Sequence, residues 1–74
     1  MGREGKEVFV FAERLKAERK KAKMTQEQVA EKLGVTRVAY TLYETGKTQP
    51  TLENAAKIAD IFQVSLDYLV GRYN

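Results

Sequence analysis

A chain of 74 residues with no cysteine and no histidine lacks the thiolate nucleophile, the commonest general base and the commonest metal ligands together. Catalysis would have to rest on carboxylates, lysines, tyrosines or hydroxyls, and the sequence shows no constellation of these. It reads as no enzyme, with no metal site and no cofactor. What the chain does carry, between Thr36 and Thr45, is the chemistry of hydrogen bonding and methyl contact. A helix turns about 100° per residue, which puts Thr36, Ala39, Tyr40 and Tyr43 on one side and Arg37, Val38, Thr41, Leu42 and Thr45 on the other. The first side holds two large aromatics that favour burial, so the second faces outward. Arg37 can donate two hydrogen bonds to a guanine edge. Val38 and Leu42 have only apolar surface, open either to thymine methyls or to the core or a protein partner.

The elements that must position this helix are marked by their ends. Residues 1–7 are polar and contain glycine, and are expected to be loose; the folded domain is expected over 8–74. From Val8 the apolar residues Val8, Phe11, Leu15 and Ala22 follow a helical stripe with Arg19 in its gap, although the run Val8–Phe11 alone leaves a strand open. Thr25 with Gln28 forms a capping-box pattern opening a second helix with Val29, Ala30 and Leu33 inward, which Gly34 ends. Thr36 can cap a third helix running to about Glu44. After the turn-rich stretch from Thr45 to Pro50, Thr51 can cap a fourth, with Leu52, Ala55, Ala56, Ala59 and Phe62 inward, flanked by Ile58 and Ile61. Ser65 can cap a short fifth helix, Leu66 to Val70, ended by Gly71. The expectation is an all-α, compact five-helix bundle.

With 43% hydrophobic and 31% charged residues, the composition is that of one folded domain. The net charge of +3 tilts toward a polyanionic partner. No apolar run approaches a membrane span and the first residues have no signal-peptide core, so a cytoplasmic protein without a membrane partner is expected.

Two helices joined by a tight turn make a helix-turn-helix if a small residue lets them cross closely, a turn residue tolerates positive φ, and apolar residues pin both from behind. Ala30 meets the first demand and Gly34 the second. Val29, Leu33, Val35, Tyr40 and Tyr43 meet the third. The motif therefore spans Gln26 to Tyr43, and its second helix is expected to read double-stranded DNA through the major groove.

The residues Phe11, Leu15-Lys16, Arg19, Met24-Thr25-Gln26, Ala30, Gly34-Val35, Tyr43-Glu44, Gly46-Lys47, Pro50 and Val64-Ser65-Leu66-Asp67-Tyr68-Leu69 closely resemble the Xre (Cro/CI-type) repressors of phages and bacteria. The resemblance covers nearly everything from Phe11 to Gly71. It implies the phage-repressor type of five-helix DNA-binding domain, operator binding by the third helix, and a two-fold homodimer. It places Arg37, Val38 and Leu42, with Thr41 on the same face, at base-reading positions. Gln26 would contact a phosphate and brace the recognition helix, and Thr45 and Lys47 would lie along the DNA backbone, with Thr36 joining them at the helix start. The chain departs from the family pattern at Tyr40, more often Ile or Val, at Leu42, more often polar, and at Lys23, where glycine is frequent and capping is affected.

Arg19 lies on an apolar stripe, where an unpaired charge is costly. Glu44, at the end of the third helix, is its natural partner, and the resemblance pairs the same two positions. The run Arg19-Lys20-Lys21-Ala22-Lys23 reads as a solvated face favoured by the helix dipole. At the other end, Leu66, Tyr68, Leu69, Val70 and Tyr73 exceed what closing a small core demands, and Leu66, Tyr68, Leu69 and Val70 are the candidate dimer contact. The leading function is a sequence-specific transcriptional repressor acting as a homodimer. An antitoxin whose partner is a toxin, and a protein-interaction module that uses the same fold on a protein antagonist or other partner, are the competing readings.

Overall fold

The computed structural model describes residues 3–71. They form five α-helices: α1 (Arg3–Lys21), α2 (Gln26–Leu33), α3 (Arg37–Thr45), α4 (Leu52–Phe62) and α5 (Leu66–Val70). This is the all-α bundle expected, with no strand among the described residues. The stretch Val8–Phe11 is helical, which removes the strand option. α1 starts at Arg3 rather than Val8, so the segment expected to be loose is helical from residue 3. Residues 3–7 hold one glycine and no proline, and a single internal glycine costs only about 1 kcal/mol, which a helix already nucleated downstream can absorb. The side chain of Val8 and the residue Tyr73 lie outside the described residues.

The helix boundaries follow from side chains that satisfy orphan backbone groups. At α2 both halves of the capping box are made: Gln28 N donates to Thr25 Oγ1 at 3.0 Å and Thr25 N to Gln28 Oε1 at 2.8 Å. Thr36, Thr51 and Ser65 each accept a hydrogen bond from the backbone N–H three residues on, at 3.0, 3.1 and 3.0 Å; losing one such cap costs about 1 kcal/mol. α2 ends at Gly34, whose φ of 78° turns its N–H back onto the carbonyls of Ala30 and Glu31. A Cβ there would meet nothing within 4 Å, so the left-handed backbone, not crowding, is what calls for glycine. Lys23 (φ 59°) and Gln63 (φ 56°) adopt the same conformation without being glycine.

The core is one cluster drawn from every helix: Phe11 and Leu15, Val29, Ala30 and Leu33, Tyr40 and Tyr43, Ile58 and Ala59, and Leu69. In α4 the inward stripe differs from the expected one. Ile58 is fully buried, Ala56 is exposed, and Leu52 is 80% exposed. A face centred on Ile58 buries a branched aliphatic side chain, worth about 1.5–3 kcal/mol, where one centred on Ala56 would bury only a methyl. Ala22 is also exposed, since α1 ends before it. Of consequence for function, α3 packs against both α1 and α2, which leaves one side of it uncovered.

Candidate nucleic-acid interface

The inner side of α3 is held by a hydrogen-bond network around one carboxylate. Arg19 of α1 lies beside Glu44, with Nε 2.6 Å from Oε2 and Nη2 3.2 Å from Oε1, in a fork-on-carboxylate arrangement. Nη1 of the same guanidinium donates to the Met24 carbonyl at 2.9 Å, tying the α1–α2 turn into the network. Gln26 of α2 donates from Nε2 to Glu44 Oε1 at 3.1 Å, and the Tyr40 hydroxyl donates to Oε2 at 2.5 Å. Three helices thus converge on Glu44, whose side chain is only 3% exposed. Burial would raise the Glu44 carboxyl, but the hydrogen bonds from Arg19, Tyr40 and Gln26 outweigh it and hold the group below the usual carboxylate range. Burial, reinforced by the neighbouring Glu44 carboxylate, pushes the Tyr40 phenol up. The hydrogen bond to Glu44 raises the Arg19 guanidinium against its own desolvation. Tyr40 is fully buried and meets Tyr43 edge to face, with ring centroids 6.2 Å apart.

The outer side of α3 has the opposite character. Arg37 is exposed, and its side chain makes no ion pair or hydrogen bond among the described residues. Val38 is 71% exposed, and Thr41 and Leu42 are half-buried. The threonine hydroxyls of this helix are turned onto its own backbone. Thr41 Oγ1 donates to the Arg37 carbonyl at 2.8 Å and lies 3.4 Å from Gln26 Oε1, and Thr45 Oγ1 donates to the Leu42 carbonyl at 3.2 Å. Thr36 differs, since its oxygen accepts from Ala39 N and its proton stays free to donate.

A shallow cleft runs between the starts of α2 and α3, lined by Arg19, Met24, Thr25, Gln26, Glu27 and Arg37. Because Glu44 can only accept, the Gln26 amide must turn its NH₂ inward, and its carbonyl then faces the Thr41 hydroxyl. The second amide proton of Gln26 is left for an acceptor such as a phosphate oxygen. The model of the helix-turn-helix family matches residues 15–69. The chain belongs to the helix-turn-helix family.

Within that family the chain is similar to YqaE of Bacillus subtilis, an uncharacterised HTH-type transcriptional regulator, with 49% identity over 61 residues, 82% of this chain and 53% of that one. It is also similar to the cryptic phage CTXphi transcriptional repressor RstR of Vibrio cholerae, with 44% identity over 61 residues, 82% of this chain and 54% of the relative. The chain spans about half the length of these curated relatives. No solved structure gives a significant match.

The helix-turn-helix brings together Arg19, Gln26, Thr41 and Glu44, and it places Arg37 and Val38 on the open side. Thr45, the last residue of α3, and Lys47, in the loop that follows, are both exposed. Of the expected dimer-contact residues, one is withdrawn from the surface. Leu69 is 0% exposed at the centre of the core, and Leu66, Tyr68 and Val70 are half-buried and packed against that core. Part of the apolar surface at this end docks α5 onto α1 and α4. Leu69 therefore cannot contact a partner.

Two site features were not foreseen. The Tyr40–Glu44 hydrogen bond had a legible signal, because the residues are spaced i, i+4 on one helix face. Arg14 has none: its guanidinium lies 4.5 Å over the Tyr68 ring and donates to the Tyr68 carbonyl, a contact across 54 positions of sequence that clamps α5 to α1.

Proposed function

We propose that this chain is the DNA-reading part of a sequence-specific transcriptional regulator, a repressor that occupies its operator as a homodimer in the cytoplasm. The observation that carries the reading is the two-sidedness of α3. Its inner side is pinned to α1 and α2 through Glu44, while its outer side presents Arg37 and Val38 to solvent. A recognition helix must be both fixed in rotation and open along its reading edge, and α3 of the helix-turn-helix meets both conditions. Base reading is assigned to Arg37, Val38, Thr41 and Leu42. Phosphate contact is assigned to Gln26 and Thr36, each with a free proton, and to Lys47; Thr45, whose hydroxyl proton is committed to Leu42, contributes through its position alone. The name of RstR, a repressor, supports the direction of regulation.

The test is selection of bound sites from a random duplex pool, followed by titration at several salt concentrations. A defined site should emerge and bind at least about a thousandfold more tightly than random duplex, with affinity falling steeply as salt rises. Equal affinity for selected and random duplexes would leave the protein-interaction reading in its place.

A further inference from the structure

Resting on the reading of α3 as a recognition helix, we infer that its outer face recognises the 5-methyl groups of pyrimidines rather than their hydrogen-bonding edges, and so accepts 5-methylcytosine where it accepts thymine. The inference starts from what each side chain has left to offer. Val38 is 71% exposed and has no polar atom in its side chain. Leu42 is half-buried and equally apolar. Thr41 is the one residue among them able to hydrogen-bond a base, but its single proton goes to the Arg37 carbonyl at 2.8 Å, with Gln26 Oε1 as a further acceptor at 3.4 Å. A hydroxyl so committed has no donor left for thymine O4 or guanine O6, which leaves its methyl and an oxygen that can only accept. Thr45 has spent its proton in the same way on Leu42. Arg37 is left as the only side chain on this face with free donors, and it takes guanine.

In the major groove thymine presents a methyl at C5 beside the O4 acceptor, and cytosine presents the N4 donor with no methyl. A donor at these positions would single out thymine by O4, and an acceptor would single out cytosine by N4. Val38 and Leu42 carry neither, so they detect the methyl. 5-Methylcytosine carries that methyl at the same ring position. The base pair's polar edge is then nearly silent and methylation of cytosine becomes a readable mark.

The test uses the site selected in the preceding experiment and replaces each thymine, one at a time, by deoxyuridine, cytosine or 5-methylcytosine, with the complementary strand changed to match. Removing one methyl that packs on an aliphatic side chain should weaken binding about fourfold, from the transfer free energy of one methylene-sized group. The expected order at the positions facing Val38 and Leu42 is thymine and 5-methylcytosine together, then deoxyuridine and cytosine together. Val38→Ala, a change at an exposed side chain that leaves the core intact, should abolish the deoxyuridine penalty at one position in each half-site and leave the others. If no selective site emerges at all, the regulator reading fails first. If a selective site emerges but deoxyuridine binds as well as thymine, or 5-methylcytosine binds as weakly as cytosine, the regulator reading stands and this inference is overturned; a selected half-site lacking thymine opposite α3 overturns it equally.

Discussion

Glu44 accepts hydrogen bonds from Arg19, Gln26 and Tyr40 on three different helices, so its charge ties α1, α2 and α3 together. Removing it leaves Arg19 facing the core unpaired, and Glu44→Ala should cost about 3 kcal/mol, against a total of roughly 5 kcal/mol for a small domain. The pH dependence follows from the sign of the shift. The folded state holds this carboxyl below its ordinary value, so the unfolded chain binds the proton more readily. Its stabilisation is complete above the ordinary carboxylate range and is lost as pH falls through the folded value. The gap between thermal melts of the parent and of Glu44→Gln should be wide at about pH 7 and narrow as pH falls below the ordinary carboxylate range; a gap that stays constant with pH would show that the carboxylate charge is irrelevant. On the other side of α3, Arg37→Ala should relax preference at one base pair per half-site by about 1–3 kcal/mol while leaving the rest of the site readable, as titration against single-base changes would show. Uniform weakening across all those duplexes would mean that Arg37 touches phosphate instead. The Arg19–Glu44 pair was legible because a charge on an apolar stripe demands a partner. The Tyr40 hydroxyl had a signal in its i, i+4 spacing from Glu44, but packing alone already accounts for an aromatic on the inner face of α3. The sequence could not say that Thr41 spends its proton within the protein, because that depends on which neighbours the fold supplies.

The elements were legible chiefly at their ends, where one side chain and one backbone group decide the matter locally. Thr25, Thr36, Thr51 and Ser65 all act as caps, and each was read from residue type and position. Gln63 was not, because nothing in its side chain marks a left-handed end. Faces were harder to read than ends: α4 offers apolar residues on more than half its circumference, and only the shape of the neighbouring helices selects Ile58 over Leu52 and Ala56. Lys23 carries a testable cost. At φ 59° a side chain with a Cβ is strained by about 1 kcal/mol relative to glycine, and glycine returns part of that through the greater freedom of the unfolded chain. Lys23→Gly should therefore stabilise by about 0.5 kcal/mol and raise the melting temperature by about 3 °C. Gly34→Ala, at φ 78° with open space around it, should do the reverse by about 1 kcal/mol. Calorimetric melts of the two variants settle the point, and a Lys23→Gly melt below that of the parent would show that the lysine side chain contributes contacts that outweigh its backbone strain.

At the scale of the whole molecule the question is how many copies sit on one site. A single recognition helix spans only a few base pairs, and specificity for one operator asks for two, one helical turn or about 34 Å apart. The domain measures 33 × 23 × 21 Å, so two copies side by side across their shorter dimensions can place their α3 helices at that separation. The apolar residues of α5 give little help in deciding, because Leu69 is buried and its neighbours pack on the core. Salt dependence gives an independent count. Each phosphate neutralised by a lysine or arginine contributes about −0.9 to the slope of log K against log salt. Gln26 and Thr36 are uncharged and contribute nothing to it, whereas Lys47, exposed beyond the end of α3, is assigned one phosphate per protomer. Lys47→Ala should weaken binding to all sequences alike, and the change in slope reports stoichiometry: about 0.9 if one protomer binds, about 1.8 if two bind together. The measurement is a titration of parent and Lys47→Ala against the selected site over a range of salt, with the same site cut to a single half as control. A change near 1.8 on the full site that falls to about 0.9 on the half-site establishes the dimer on DNA. A change of about 0.9 on both, together with a selected motif that shows no inverted repeat, means that one copy suffices and that the second half-site belongs to no partner of the same kind.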